Sequence, residues 1–188
     1  SGESVISHQS AARMMAAIDR ERFDPLFVTI GTDRWSCSTA AETDLPLDRG
    51  RFSVTTSAGE RHFQAALIAI HGAPGENGLL QGYLDMLGIP YQTGGVLNMA
   101  LTFSKYSTTA LLREMGFPVA SSVLLYPDTE GPEALVARLG YPCFVKPDQS
   151  GSSLGVTKVK RLAELGPALA AAFKECPAVM VEGAVVGQ

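Results

Sequence analysis

Apolar residues recur at helical spacing in 7–18, where Ala11, Met14, Met15 and Ile18 share one face and Ser7 is a candidate N-cap. A short apolar strand follows at 24–30. The polar stretch 31–64 carries scattered β-branched and aromatic residues, which predicts short, mainly antiparallel strands around Trp35 and Phe52. The run 65–71 is almost continuously apolar and ends in a glycine-rich turn, the pattern of a buried parallel strand with a loop at its carboxyl end. Residues 76–87 read as a helix, 91–95 as a loop and 96–115 as helix-rich. Strand and helix alternate here, which predicts an open, mostly parallel sheet with flanking helices.

The character changes near 116–120. Strand patterns at 119–126, 142–146, 154–159 and 178–182 alternate with helical ones at 131–139 and 162–173. Two domains are expected, 1–117 and 118–188, the second incomplete. The chain opens on a loop, Ser1-Gly-Glu3, and closes at Gln188 where a strand should hand over to more structure, so a fragment is expected.

Composition narrows the function classes. With 46% hydrophobic and 18% charged residues the chain can bury a sizeable core. A net charge of −4 offers no basic face for nucleic acid. No apolar run reaches the roughly 18 residues that span a bilayer, and no leader with an apolar stretch and cleavage site is visible. Cys37, Cys143 and Cys176 are widely spaced, which argues against disulfides or a zinc site. Cys143, inside an apolar run, reads as a buried thiol, and a reducing, cytoplasmic setting fits.

Two segments carry chemistry. In Lys146-Pro-Asp-Gln-Ser-Gly-Ser-Ser-Leu-Gly155 a lysine ends an apolar strand and meets a loop of glycines and serines. Backbone N–H groups in such a loop can approach phosphate oxygens unobstructed, and the lysine adds a compact positive charge. A hairpin turn with a solvated lysine is the competing reading. In His71-Gly-Ala-Pro-Gly-Glu-Asn-Gly-Leu-Leu-Gln-Gly82 a histidine ends the second apolar strand and Glu76 starts a helix. They either line a ligand crevice or simply cap a strand and a helix N-terminus. His8 and His62 read as surface or packing residues.

Together with Gly88-Ile-Pro-Tyr91, Lys105 and Thr157-Lys-Val159, these blocks resemble D-alanine–D-alanine ligases of the ATP-grasp superfamily, in order and in spacing along the whole chain. The resemblance implies an N-terminal substrate-binding α/β domain followed by the start of an ATP-grasp domain. It implies that Lys105 and Lys146 bind ATP phosphates, with Ser152 and Ser153 as donors from the covering loop. Glu182 matches the residue that recognises the adenine amino group, and Val185 an apolar position that accepts adenine through its backbone. Glu3 matches the carboxylate that holds the ammonium of the first D-alanine, with Ser152 beside it in the catalytic set, and His71 and Glu76 match residues lining that subsite.

The implied reaction moves the ATP γ-phosphoryl onto the first D-alanine, and the amine of the second then attacks the acyl phosphate. Mg²⁺, or Mn²⁺, is the implied metal, with no ligand in this segment; a cytoplasmic homodimer serving peptidoglycan synthesis is the implied setting. Two positions depart from the family: Ser104 stands where Asp is common before the first lysine, and Gly183 where lysine often follows the glutamate. Second substrates D-lactate or D-serine, and a non-catalytic ATP- or amino-acid-binding relic, are the alternatives. A plain flavodoxin-like binding domain leaves the second half unexplained.

Overall fold

The computed structural model describes residues 3–151 and 153–186. The chain forms two compact units, Ser1–Leu97 and Asn98–Gln188. The division falls ahead of 116–120 because the helical stretch before that point is tied to later residues of the second unit. The backbone N–H of Lys105 donates to Asp148 O (3.2 Å), and Arg113 donates to Ala120 O (3.0 Å) and to the Ser122 hydroxyl (3.1 Å).

In the first unit, strands β1 (Phe27–Ile30), β2 (Trp35–Ser38), β3 (Leu45–Asp48), β4 (Ser53–Thr56) and β5 (Gly59–His62) form one sheet in sequential order. Each neighbouring pair is antiparallel, as meander connections of a few residues require. The turn chemistry is local: Asp48 Oδ1 accepts from Gly50 N at 2.7 Å, and Gly59 turns with φ +117°. Helices α1 (Ser4–Ala17) and α2 (Leu79–Met86) complete the unit. Trp35 meets the rings of Phe52 and Tyr83 edge-on, and Leu47, Val54, Ile68, Leu80, Leu84 and Ile89 fill the core beside them. Each fully buried aliphatic side chain contributes about 1.5–3 kcal/mol.

Two expectations for this unit are corrected. The mostly parallel sheet is not formed: the described ladders are antiparallel, and the parallel pairing among the described residues is the isolated bridge Ala66↔Tyr91. The reason is a side chain that imitates a strand. Gln92 Oε1 accepts from Ile68 N and Gln92 Nε2 donates to Ile68 O, both at 2.8 Å, so the ladder along 65–70 stops where a backbone neighbour gives way to an amide. Ser7 is also not the N-cap of α1. The helix starts three residues earlier, and the Ser7 hydroxyl instead donates to Glu3 O and accepts from His71 N, both at 3.0 Å. The apolar positions Ala11, Met14, Met15 and Ile18 line a slot of about 620 Å³ with β1 and the 65–70 run, but none of them is buried.

In the second unit, α3 (Val96–Phe103) and α4 (Lys105–Glu114) occupy the helix-rich stretch, α3 beginning just before the division. The break between them is Ser104, whose extended backbone (ψ 113°) and side-chain oxygen, accepting from Ser107 N at 3.1 Å, make it the N-cap of α4. Strands β6 (Ser122–Leu125), β7 (Cys143–Pro147), β8 (Thr157–Val159) and β9 (Val179–Gly183) form a sheet in the order β6-β9-β7-β8, again antiparallel. Helices α5 (Pro132–Ala137) and α6 (Leu165–Ala172) are joined to it by short loops. Alternation along β7 buries Cys143, Val145 and Pro147 fully, while Phe144 and Lys146 take the other face. Cys143 and Val145 pack with Leu125, Val136, Val159, Leu165 and Val181. Cys143 is thus the buried thiol expected, and burial pushes its ionisation up from the ordinary cysteine range. No helix among the described residues is long and apolar enough to cross a membrane.

Candidate active site

The face of the second sheet turned away from its core carries the charges. Register sets Phe144 opposite Glu182 on β9 and Lys158 on β8, and sets Lys146 opposite Met180. Lys146 Nζ is hydrogen-bonded to Glu182 Oε2 as an ion pair, both side chains being mostly shielded. The Lys146 and Lys158 ammonium groups each lie 5.6 Å from the centre of the Phe144 ring.

Lys105 opens α4, and its side chain lines the same hollow as Lys146 and Glu182. The hollow measures about 310 Å³, and Thr102, Thr108, Thr109 and Met180 complete it. Lys105 Nζ donates to two main-chain carbonyls, Ser150 O at 2.6 Å and Asp148 O at 3.2 Å. Burial pushes the Lys105 ammonium down from the ordinary lysine range, and Lys146 pushes the same way. The Asp148 carboxylate, and more weakly the Cys176 thiol, oppose that shift.

The loop after β7 is shaped by close packing. Gly155 has φ +70°, and a Cβ there would stand 2.8 Å from Pro147 Cγ and 3.1 Å from Glu175 Cγ. Ser153 adopts φ +57° without being glycine, a backbone state that costs on the order of 1 kcal/mol and is held by its surroundings. Ser152 lies outside the described residues. Val185 follows β9, is 73% exposed, and does not line the hollow.

In the first unit, a second group forms around Gly72. Glu76 N donates to Gly72 O at 2.9 Å, and the Glu76 carboxylate accepts from Gly72 N at 2.8 Å, closing a tight turn. Glu3 Oε2 lies 3.0 Å from where a Cβ on Gly72 would stand, and Gly72 has φ +75°, a backbone state that favours glycine. His71 Nε2 is 3.0 Å from the Ser10 hydroxyl on α1. Glu3, His71 and Glu76 are therefore brought together, as are Lys105, Lys146 and Glu182.

The hollow suits an anion. Its lining carries two ammonium groups against one carboxylate, and that carboxylate is engaged by Lys146. This donor set does not fit a divalent cation, which needs several free oxygen ligands. The three threonines and Met180 were not singled out from sequence, although signals exist. Thr108 and Thr109 stand three and four residues after Lys105, hence on its face of the helix, and Met180 stands two before Glu182 on one strand. Asp148 gave no separate signal; it lies inside the loop motif.

Comparison with known proteins agrees with this organisation. Residues 1–94 match the family described as D-ala D-ala ligase N-terminus, and residues 111–188 match D-ala D-ala ligase C-terminus. The D-alanine--D-alanine ligase of Porphyromonas gingivalis is 44% identical over 189 residues, covering 100% of this chain and 57% of that protein. Among solved structures, D-alanyl-alanine synthetase A of Vibrio cholerae superposes with a TM-score of 0.86 at 27% identity, covering 99% of this chain and 56% of that one. The VanG D-Ala:D-Ser ligase of Enterococcus faecalis gives 0.86 at 28% identity, covering 100% and 60%. The chain thus spans just over half the length of the relatives it matches. Two successive family matches, in the order in which the two units follow one another, lead to one conclusion: this chain belongs to the D-alanine–D-alanine ligase family.

Proposed function

We propose that the full-length protein joins two D-alanine molecules into D-alanyl-D-alanine at the expense of ATP, for peptidoglycan synthesis. The observation that carries this reading is the hollow lined by both Lys105 and Lys146, next to the loop that runs from Asp148 to Gly155. Two ammonium groups on one concave surface suit a polyphosphate, whose transfer needs positioning and positive charge rather than a protein nucleophile.

In this reading Lys105 and Lys146 hold the ATP phosphates, and Ser152 and Ser153 add donors from the loop. Glu182 and the Val185 backbone select adenine. Glu3 takes the ammonium of the first D-alanine in a charge-assisted contact, within a subsite shared with His71 and Glu76. Ser152 completes the catalytic set with Glu3. A carboxylate is a poor electrophile, so phosphorylation of the first D-alanine turns its carboxyl into an acyl phosphate. The amine of the second attacks that carbon, and phosphate leaves. Magnesium, or manganese, would accompany the triphosphate; the hollow itself does not supply cation ligands.

The domain reading that goes with this function assigns 1–117 to substrate binding and 118–188 to the opening of the ATP-grasp domain. A cytoplasmic homodimer without nucleic-acid or membrane partners is part of the same proposal. The structural likeness to a D-Ala:D-Ser ligase keeps one second reading, in which D-serine or D-lactate is the second substrate. The test is phosphate release by the full-length protein supplied with ATP and magnesium. Release that depends on D-alanine, with D-alanyl-D-alanine as product, supports the proposal. ATP binding without turnover would favour the non-catalytic relic, and a mixed product would favour the second reading.

A further inference from the structure

A serine inside a helix ordinarily turns its hydroxyl back to the carbonyl four residues earlier, or out to water. Ser7 follows that rule: its hydroxyl donates to Glu3 O at 3.0 Å, and the same oxygen accepts from His71 N at 3.0 Å. Ser10 does not. It stands half-buried in the middle of α1, and the one hydrogen bond of its hydroxyl among the described residues crosses to His71 Nε2 at 3.0 Å, 61 positions along the chain. Residues three apart share a helix face, so α1 grips His71 twice from one side. Ser7 takes the main-chain N–H and Ser10 takes the ring. The next residue, Gly72, comes up against the carboxylate of Glu3, which precedes the same helix. One element thus sets where Glu3 and His71 stand relative to each other.

We propose that Ser10 is a positioning residue for His71: it holds the imidazole by Nε2 and so presents the Nδ1 edge to the amino-acid subsite shared with Glu3 and Glu76. The proposal deepens the D-alanine reading and rests on it for the identity of the ligand. A neutral imidazole offers one N–H and one lone pair, and a hydroxyl can meet either. Whichever tautomer is present, the Ser10 contact occupies Nε2 and fixes the plane of the ring. The His71 ring has no other hydrogen bond among the described residues, so Nδ1 is the nitrogen left for a ligand. Without the hydroxyl the ring is free to turn about its outer side-chain torsion, which is broad for histidine. A ligand must then order it first, and binding weakens.

The test uses the full-length protein with Ser10→Ala, Ser10→Thr, His71→Ala and the double variant Ser10→Ala/His71→Ala. Alanine is the best helix former, so Ser10→Ala removes the hydroxyl without weakening α1, and threonine keeps a hydroxyl. Two quantities are measured: the ¹⁵N resonance of His71 Nε2 without substrate, assigned with His71→Ala, and the KM for the first D-alanine beside that for ATP. In Ser10→Ala the Nε2 resonance should move and the KM for the first D-alanine should rise about fivefold, the size of one hydrogen bond. The KM for ATP should stay within about twofold, which a general loosening of the fold would not allow. Ser10→Thr should return both readings toward the parent. Once His71 is alanine, Ser10→Ala should add nothing, because its effect passes through the ring. An unmoved Nε2 resonance, or the same rise in KM in the His71→Ala background, would overturn the proposal and leave Ser10 a packing residue. If Ser10→Thr fails to fold, the resonance and the cycle decide without it, and if His71→Ala has no turnover, the cycle is read as D-alanine affinity by calorimetric titration. Should the parent neither bind nor use D-alanine while the Nε2 resonance still moves as stated, the D-alanine reading fails and the hold on His71 stands.

Discussion

Replacing Gly75 with alanine tests whether the turn beside His71 is built as tightly as its geometry implies. A Cβ at Gly75 would stand 2.5 Å from the Ile70 carbonyl oxygen and 2.6 Å from Ile70 Cβ. The first distance is roughly 1 Å short of ordinary contact, and neither obstacle can swing away, since both belong to or sit on the backbone. Overpacking of this kind costs about 1–3 kcal/mol, and with no rotamer to relieve it we place Gly75→Ala near 3. A unit of this size loses about 4–8 °C of melting temperature per kcal/mol, so its transition should drop by roughly 12–24 °C. Gly88→Ala is the control: its φ of +68° makes alanine strained, but nothing lies within 4 Å of the added carbon. It should cost about 1–2 kcal/mol. Differential scanning calorimetry of both variants decides. A Gly75→Ala transition within about 2 °C of the parent, or a larger fall for Gly88→Ala, would refute the reasoning, since steric contact would then not be what the turn depends on.

Four further substitutions test the site. Lys146→Ala should weaken ATP binding by about tenfold or more while leaving the KM for D-alanine nearly unchanged, read from calorimetric titration beside initial rates. Glu3→Ala should do the reverse, raising the KM for the first D-alanine; the opposite pattern in the pair would exchange their roles. Glu182→Gln frees Lys146 from its ion pair, so inorganic triphosphate should bind several-fold more tightly, with selectivity for adenine over guanine reduced, both by competition binding. Ser104→Ala removes the cap that accepts from Ser107 N and should cost about 1 kcal/mol, measured by urea unfolding.

The parts of the fold legible in sequence were those set by local chemistry. Short apolar runs at 142–146 and 178–182, each ending on a charged residue, gave β7 and β9, and the short polar strands around Trp35 and Phe52 came out antiparallel as read. The break at Ser104 was missed because helical periodicity continues on both sides of it; only the serine three residues before Ser107 marked a cap. The parallel strand at 65–71 failed for a different reason. Its apolar run is there, and Ile68 is buried, but strand identity is a property of the neighbour. Gln92, whose side chain takes the neighbour's place, looks in sequence like any loop glutamine.

The site divides in the same way. Lys146 was conspicuous before its glycine- and serine-rich loop and Lys105 was named through the family resemblance, but what restrains them was not legible. Lys146 is paired with Glu182 across a strand register, and Lys105 is held by carbonyls of a loop forty-odd residues away in sequence. Both pairings are long-range and leave no periodic trace. They also change the physics of the hollow. Its charge is not simply two positive groups awaiting an anion, because one is already matched by a carboxylate and the other rests on neutral dipoles. On the ATP reading proposed above, an incoming triphosphate must compete with Glu182 for Lys146, whereas at Lys105 it meets a shielded ammonium held by main-chain carbonyls. On that reading the stronger pull on phosphate belongs to Lys105.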